Sequence, residues 1–301
     1  MPKRIAFFPL LAIVTGLSVA GLYRDPKPAQ SQALTPYVLQ LDEERLEQQG
    51  FFLFHSAIEA FQRGDYDLEQ ASIQIRLASQ IAPDNPQILA TLGELHNRKG
   101  EHEQAIEVLS QARELEPENP AILFELGTAY LRQEKYNQAV TLLEEGLEIS
   151  PGVFGALFDL GNAYYQLKQY EDAIANYEQA VEIKEDLWFA VNNIGLVLYE
   201  QKDVEGAIDA WERSIDMTDR QEAEPLLALA VARFHEGDRE DALTQGTRAL
   251  IINDAYSDLE FLRENLWGER LLADTEEFLN QPQIRSLFSD SESSTQHNHD
   301  H

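Results

Sequence analysis

The stretch LFELGTAYLRQ, starting at Leu123, returns thirty-four residues later as LFDLGNAYYQL, starting at Leu157. The same interval runs well beyond this pair. Gly93, Gly127, Gly161 and Gly195 are each preceded by an aliphatic residue: Leu92, Leu126, Leu160 and Ile194. Twelve residues beyond each glycine come Ala105, Ala139, Ala173 and Ala207. Leu109, Leu143, Tyr177 and Trp211 hold the same register. Self-similarity at such a period means stacked supersecondary units, none of which can bury its apolar face alone.

Each unit contains two stretches of helical periodicity, for example QILATLGELHNRKG and HEQAIEVLSQARELEP, with a short turn marked by Gly100. Small residues such as Gly93 and Ala105 are expected where the two helices of a pair cross, since a larger side chain would force the axes apart. Leu92, His96 and Leu109, with their equivalents, are expected to fill the space between pairs. Pro117 and Pro151 stop the second helices. Asn85–Pro86 and Asn119–Pro120 read as an N-cap followed by proline at the first helical position. The fold class is therefore all-α, a solenoid of helix-turn-helix repeats.

These columns resemble the tetratricopeptide repeat family. The match is close at 86–119, 120–153, 154–187 and 188–221, and degenerate at about 50–85 and 222–256. Upstream, Ala71, Ile75, Ala78 and Pro83 keep the register; downstream, Ala230 and Ala242 occupy the Gly and Ala columns one residue out of phase. The resemblance implies a right-handed superhelix over 37–256, whose concave face, lined by the first helices, holds a partner polypeptide. In the family register the groove residues are Asn97, Phe124, Leu131, Phe158, Asn162, Tyr165, Phe189, Asn192 and Tyr199. Phe and Tyr offer large contact area at low entropic cost, and Asn can donate and accept at once. Phe158, Asn162 and Asn192 are expected to be replaceable by Ala with little loss of stability. One subfamily clamps C-terminal carboxylates with Lys, Asn, Asn, Lys and Arg. Here Asn162 and Asn193 fill the Asn positions, but Phe158, Ala223 and Leu227 replace the cations, so a carboxylate lacks a charge-assisted partner.

The ends of the chain read differently. Residues 1–23 contain an uncharged run, IAFFPLLAIVTGLSVAGLY, behind MPKR, which fits a signal peptide or a membrane anchor. Residues 24–36 read as a linker. Residues 257–287 read as amphipathic helices, broken near Gly268, that cap the array or bind a partner. Residues 288–301, with His297, His299 and His301, read as a disordered acidic and His-containing tail. An N-terminal segment of this kind places the array on the exported side of a membrane (periplasm or thylakoid lumen), although Arg24 and Lys27 leave a cytosol-facing topology open. Repeat proteins so equipped resemble assembly factors for membrane complexes, including cyanobacterial and plastid photosystem-assembly proteins. An envelope module for secretion or polysaccharide machinery is the alternative.

The net charge of −30 argues against nucleic-acid binding and favours basic partners. With no cysteine, thiolate chemistry is excluded. No catalytic triad order, phosphate-binding loop or HExxH motif occurs, so neither a catalytic residue, a cofactor nor a metal site is expected.

Overall fold

The computed structural model describes residues 42–295, with side chains to Phe288. The expected N-terminal anchor or signal peptide, the linker, and His297, His299 and His301 lie outside the described residues. Within 42–295 no helix is long and apolar enough to cross a membrane.

Twelve helices form six consecutive antiparallel pairs: α1 (Glu43–Gln62) with α2 (Leu68–Ile81), α3 (Pro86–Arg98) with α4 (His102–Leu115), α5 (Pro120–Arg132) with α6 (Tyr136–Ile149), α7 (Phe154–Gln166) with α8 (Tyr170–Ile183), α9 (Trp188–Glu200) with α10 (Val204–Met217), and α11 (Ala223–Glu236) with α12 (Arg239–Ile252). Each second helix packs on the next first helix, and α5 also touches α3 and α7 as α11 touches α9, so the pairs stack in sequence order. Asn85 and Asn119 cap α3 and α5 as expected, accepting from the N–H of Ile88 at 3.1 Å and of Ala121 at 3.0 Å, with Pro86 and Pro120 at the helix starts. The second helices stop at Leu115 and Ile149, just before Pro117 and Pro151.

The glycine column works through close approach. A Cβ on Gly127 would stand 2.6 Å from the Leu143 side chain, one on Gly161 2.6 Å from the Tyr177 ring, and one on Gly195 2.5 Å from the Trp211 indole. The Leu109, Leu143, Tyr177 and Trp211 column therefore packs first across its own pair, onto the glycine. Leu109 also reaches Ile122 and Leu126 of the next pair, so the expectation of inter-pair filling is met only in part.

Beyond α12 the chain departs from the repeat. A 3₁₀ turn (Asp254–Ser257) and a short helix α13 (Leu259–Glu264) lead to α14 (Glu269–Leu279) and α15 (Pro282–Thr295). Helix α14 packs on α11 and α9, and α15 on α12. Leu271, Phe278 and Ile284 are fully buried in the same core as Trp211, Leu227 and Phe234. The expected break falls at Gly268, the residue just before α14. The backbone remains helical to Thr295, into the segment expected to be disordered. Pro282 starts this helix, and the buried Ile284 anchors its first turn.

Candidate functional site

The first helices α3, α5 and α7 and the start of α9 line an open groove of about 930 Å³. Phe124, Phe158 and Phe189 form its apolar wall, all half-buried, and Phe158 and Phe189 meet edge-on with centroids 4.8 Å apart. Phe154, at the start of α7, is 36% exposed along the same wall.

Between successive first helices runs a polar clasp built on two columns of the repeat. Thr128 Oγ1 on α5 donates to Asp159 Oδ2 on α7 at 2.6 Å. One repeat on, Asn193 Nδ2 on α9 donates to Asn162 Oδ1 on α7 at 3.1 Å, and that oxygen also accepts from the Tyr177 hydroxyl at 2.8 Å. One repeat earlier the clasp positions hold Glu94 and Glu125, and Asn97 Nδ2 satisfies Glu125 instead, at 2.8 Å from Oε2. The clasp is neutral at α7–α9 and carries carboxylates toward α3. Burial pushes both Glu125 and Asp159 up from the ordinary carboxylate range, the hydrogen bonds from Asn97 and Thr128 opposing this only in part.

On α9 and α11 the same face is occupied by residues 254–279, here the C-terminal arm. Glu224, at the start of α11, accepts from Trp267 Nε1 at 3.1 Å, from Asn192 Nδ2 at 3.1 Å and from the Tyr256 hydroxyl at 3.4 Å. Glu200, at the end of α9, accepts from the backbone N–H groups of Arg270 and Leu271, each at 3.1 Å, and so caps α14 from seventy residues away. Arg270 lies over the Tyr199 ring at 4.4 Å and donates to the Tyr199 carbonyl at 2.7 Å. The Tyr199 hydroxyl donates to Asp274 at 2.6 Å, and its own ionisation is suppressed by desolvation first and by that carboxylate second.

The nine residues expected in the groove therefore separate. Phe124, Phe158 and Phe189 line it, and Asn97 stands beside it, bonded to Glu125. Leu131, Tyr165 and Tyr199 are buried, because this column faces the neighbouring helices; Tyr199 is in addition covered by the arm. Asn162 and Asn192 are buried in the clasp network rather than presented to the groove, and an alanine at either position would delete hydrogen bonds made there. Glu94, Glu125, Thr128 and Asp159 line the groove in addition to the nine residues expected there. Among the described residues no group of three or more His, Asp or Glu is placed to hold a metal ion.

An all-helical stack of repeated pairs with an open groove along its first helices defines a helical-repeat protein. Tetratricopeptide repeat models match it at residues 57–123 and 97–149, and again at 124–187 and 192–258, well over half its length. The chain belongs to the tetratricopeptide repeat family. Among solved structures it is similar to pilF of Pseudomonas aeruginosa, at 19% identity over 74% of this chain and 98% of that one, with a TM-score of 0.56. It is also similar to MamA (residue 41 to the end) of Desulfovibrio magneticus RS-1, at 19% identity over 60% and 98%, with a TM-score of 0.51. A third is YrrB, described as a TPR protein with an unusual peptide-binding site, at 19% identity over 67% and 97%, with a TM-score of 0.50. At these identities the likeness is one of fold. No curated protein matches significantly.

Proposed function

We propose that the protein is a non-enzymatic scaffold that holds a segment of a partner polypeptide along the first helices of its central repeats. The observation that carries this reading is the open groove walled by Phe124, Phe158 and Phe189 and edged by hydrogen-bonding side chains. Apolar anchors beside placed polar groups suit an extended peptide, whose backbone needs partners and whose side chains need pockets. The working groove runs from α3 to the start of α9; beyond it the arm already fills the equivalent face.

The finer reading is that the uncharged run at residues 5–23 holds or exports the array at a membrane, where it serves assembly of a membrane complex, photosynthetic complexes included. That run and the acidic surface support it. The test is affinity capture from detergent-solubilised native membranes, comparing wild type with Phe124→Ala/Phe158→Ala. A membrane complex retained by wild type and lost by the folded variant supports the scaffold. Identical capture by both proteins removes the groove as the working surface. Protease treatment of sealed vesicles separates an exported array, which is spared, from a cytosol-facing one.

A further inference from the structure

We infer that the partner segment seated in this groove is cationic: it places a lysine or arginine against Glu125 and Asp159 and an aromatic side chain against Phe124, Phe158 and Phe189. The inference rests on the scaffold reading above and adds the chemistry of the ligand.

Charge points the same way from two sides. The groove is lined by Glu94, Glu116, Glu125 and Asp159 against a single basic residue, Arg132. Glu94 is paired with Arg98 at 2.8 Å, whereas Glu125 and Asp159 accept hydrogen bonds from the neutral donors Asn97 and Thr128 and feel Arg98 and Arg132 only at longer range, without an ion pair. Desolvation raises the pKa of both carboxyls, as expected for buried negative charge short of counter-charge. An anionic segment would be repelled. A neutral one would bury these carboxylates further with nothing in return. A cation supplies the charge-assisted hydrogen bonds they lack.

The arm shows what the same face accepts when it is filled. In the sequence Trp267-Gly-Glu-Arg270, the indole N–H goes to a first-helix carboxylate, Glu224, and the guanidinium stacks on a first-helix aromatic, Tyr199. An aromatic residue three positions before an arginine is thus already accommodated on this surface. The open half also sets carboxylates beside aromatic rings, but at other columns of the repeat: Glu125 and Asp159 with Phe124 and Phe158, while the Tyr199 column is buried there as Leu131 and Tyr165.

The test uses the full chain and three pools of labelled short peptides, each with a fixed Trp. The third residue after Trp is Lys or Arg in one pool, Gln in the second and Glu in the third; the remaining positions carry no charge. Fluorescence anisotropy at low salt should show the cationic pool binding at least about tenfold more tightly than the Gln pool, with the advantage shrinking as salt rises. Glu125→Gln/Asp159→Asn, checked by its melting curve, should abolish the preference and leave the Gln pool unchanged. The salt series on wild type reads the same property should that variant fold poorly. Phe158→Ala should weaken all pools. Equal binding of all three pools, still sensitive to Phe158→Ala, overturns the cationic ligand and leaves the groove standing. If no pool binds, or if Phe158→Ala changes nothing, the groove reading falls and this inference with it.

Discussion

Glu224 and Trp267 are forty-three residues apart and joined by an indole N–H to carboxylate hydrogen bond of 3.1 Å. The bond fastens the C-terminal arm across α9 and α11, and Trp267 is 3% exposed beneath it. Removing the indole loses its apolar burial and leaves Glu224 short of a donor in a desolvated site. Trp267→Ala should therefore cost ~3–5 kcal/mol, read by urea denaturation. Trp267→Phe keeps most of the packing and deletes the donor, and should cost ~1–3 kcal/mol. A near-neutral Trp267→Ala would mean that the arm does not stay docked in solution.

The second fastening is backbone capping from a distance. No side chain of the arm caps α14; the Glu200 carboxylate takes the N–H groups of Arg270 and Leu271. A carboxylate at a helix N-terminus gains from both the orphan donors and the macrodipole. Glu200→Ala should destabilise by ~1–2 kcal/mol. Hydrogen exchange should then quicken in Glu269–Leu279 and stay unchanged in α3 and α4. Uniform quickening throughout the array would count against a local cap.

Gly161 and Gly155 lie in the same helix and should respond in opposite directions. A methyl group at 161 meets the fully buried Tyr177 ring, whereas one at 155 has no neighbour within 4 Å. Gly161→Ala should cost ~1–3 kcal/mol through overpacking. Gly155→Ala should add ~0.5–1 kcal/mol from helix propensity. Thermal melts of the two single variants, side by side, measure the difference. Equal effects would show that the glycine column is not set by the closeness of the paired helices.

The repeat was legible because its columns are steric: glycine opposite Leu, Tyr or Trp leaves little choice of pairing. The turn geometry was legible too, since Gly100, with φ of 75°, shares its column with Glu134, Lys168 and Lys202, all at positive φ. The arm's position could have been read from the helices it covers. WFAVNNIGLVLY in α9 and PLLALAVARF in α11 are apolar apart from Asn192, Asn193 and Arg233, and an array helix with so few polar positions needs cover on its inner side as well. By contrast, PQILATLGELHNR in α3 keeps Thr91 and Glu94 for the open groove. The clasp was not legible. Whether Asn162 faces a peptide or Asn193 depends on how closely α7 and α9 approach, and a single repeat does not encode that distance.

The turn column supplies a prediction of its own. Lys202 holds φ of 71° and no ion pair fixes its side chain among the described residues. A side-chain-bearing residue in the left-handed region costs ~1–2 kcal/mol, and the greater freedom of glycine in the unfolded chain returns part of that. Lys202→Gly should raise stability by roughly 0.5–1 kcal/mol, measured by denaturant midpoint at unchanged m-value. A loss of stability would mean that the lysine stem contributes packing beyond its conformational cost.

Acidification should stabilise the folded array before it denatures it. Burial raises the carboxyl pKa of Glu125, Asp159 and Glu224. Around Glu224, the donors Trp267, Asn192 and Tyr256 and the charge of Glu222 complete the surroundings; around Asp159 they are Thr128 and Arg132; around Glu125 they are Asn97, Glu94, Asp159 and Arg98. A carboxyl whose pKa rises on folding binds its proton more tightly in the native state. Its contribution to stability is complete below the unfolded pKa and is lost as pH climbs through the folded value. The net charge of −30 acts in the same direction, because partial protonation relieves self-repulsion. The melting temperature should thus be higher at about pH 5, just above the ordinary carboxylate range, than at about pH 7. Glu101 opposes the trend, since its hydrogen bond with His96 lowers its pKa, but it is one carboxyl against the three that burial raises. Asp159→Asn combined with Glu224→Gln should shrink the pH difference and leave a remainder from general repulsion, which added salt reduces. A melting temperature that falls steadily from pH 7 to 5 in wild type would show that these carboxyls are better solvated, or better paired, than their positions in the array imply.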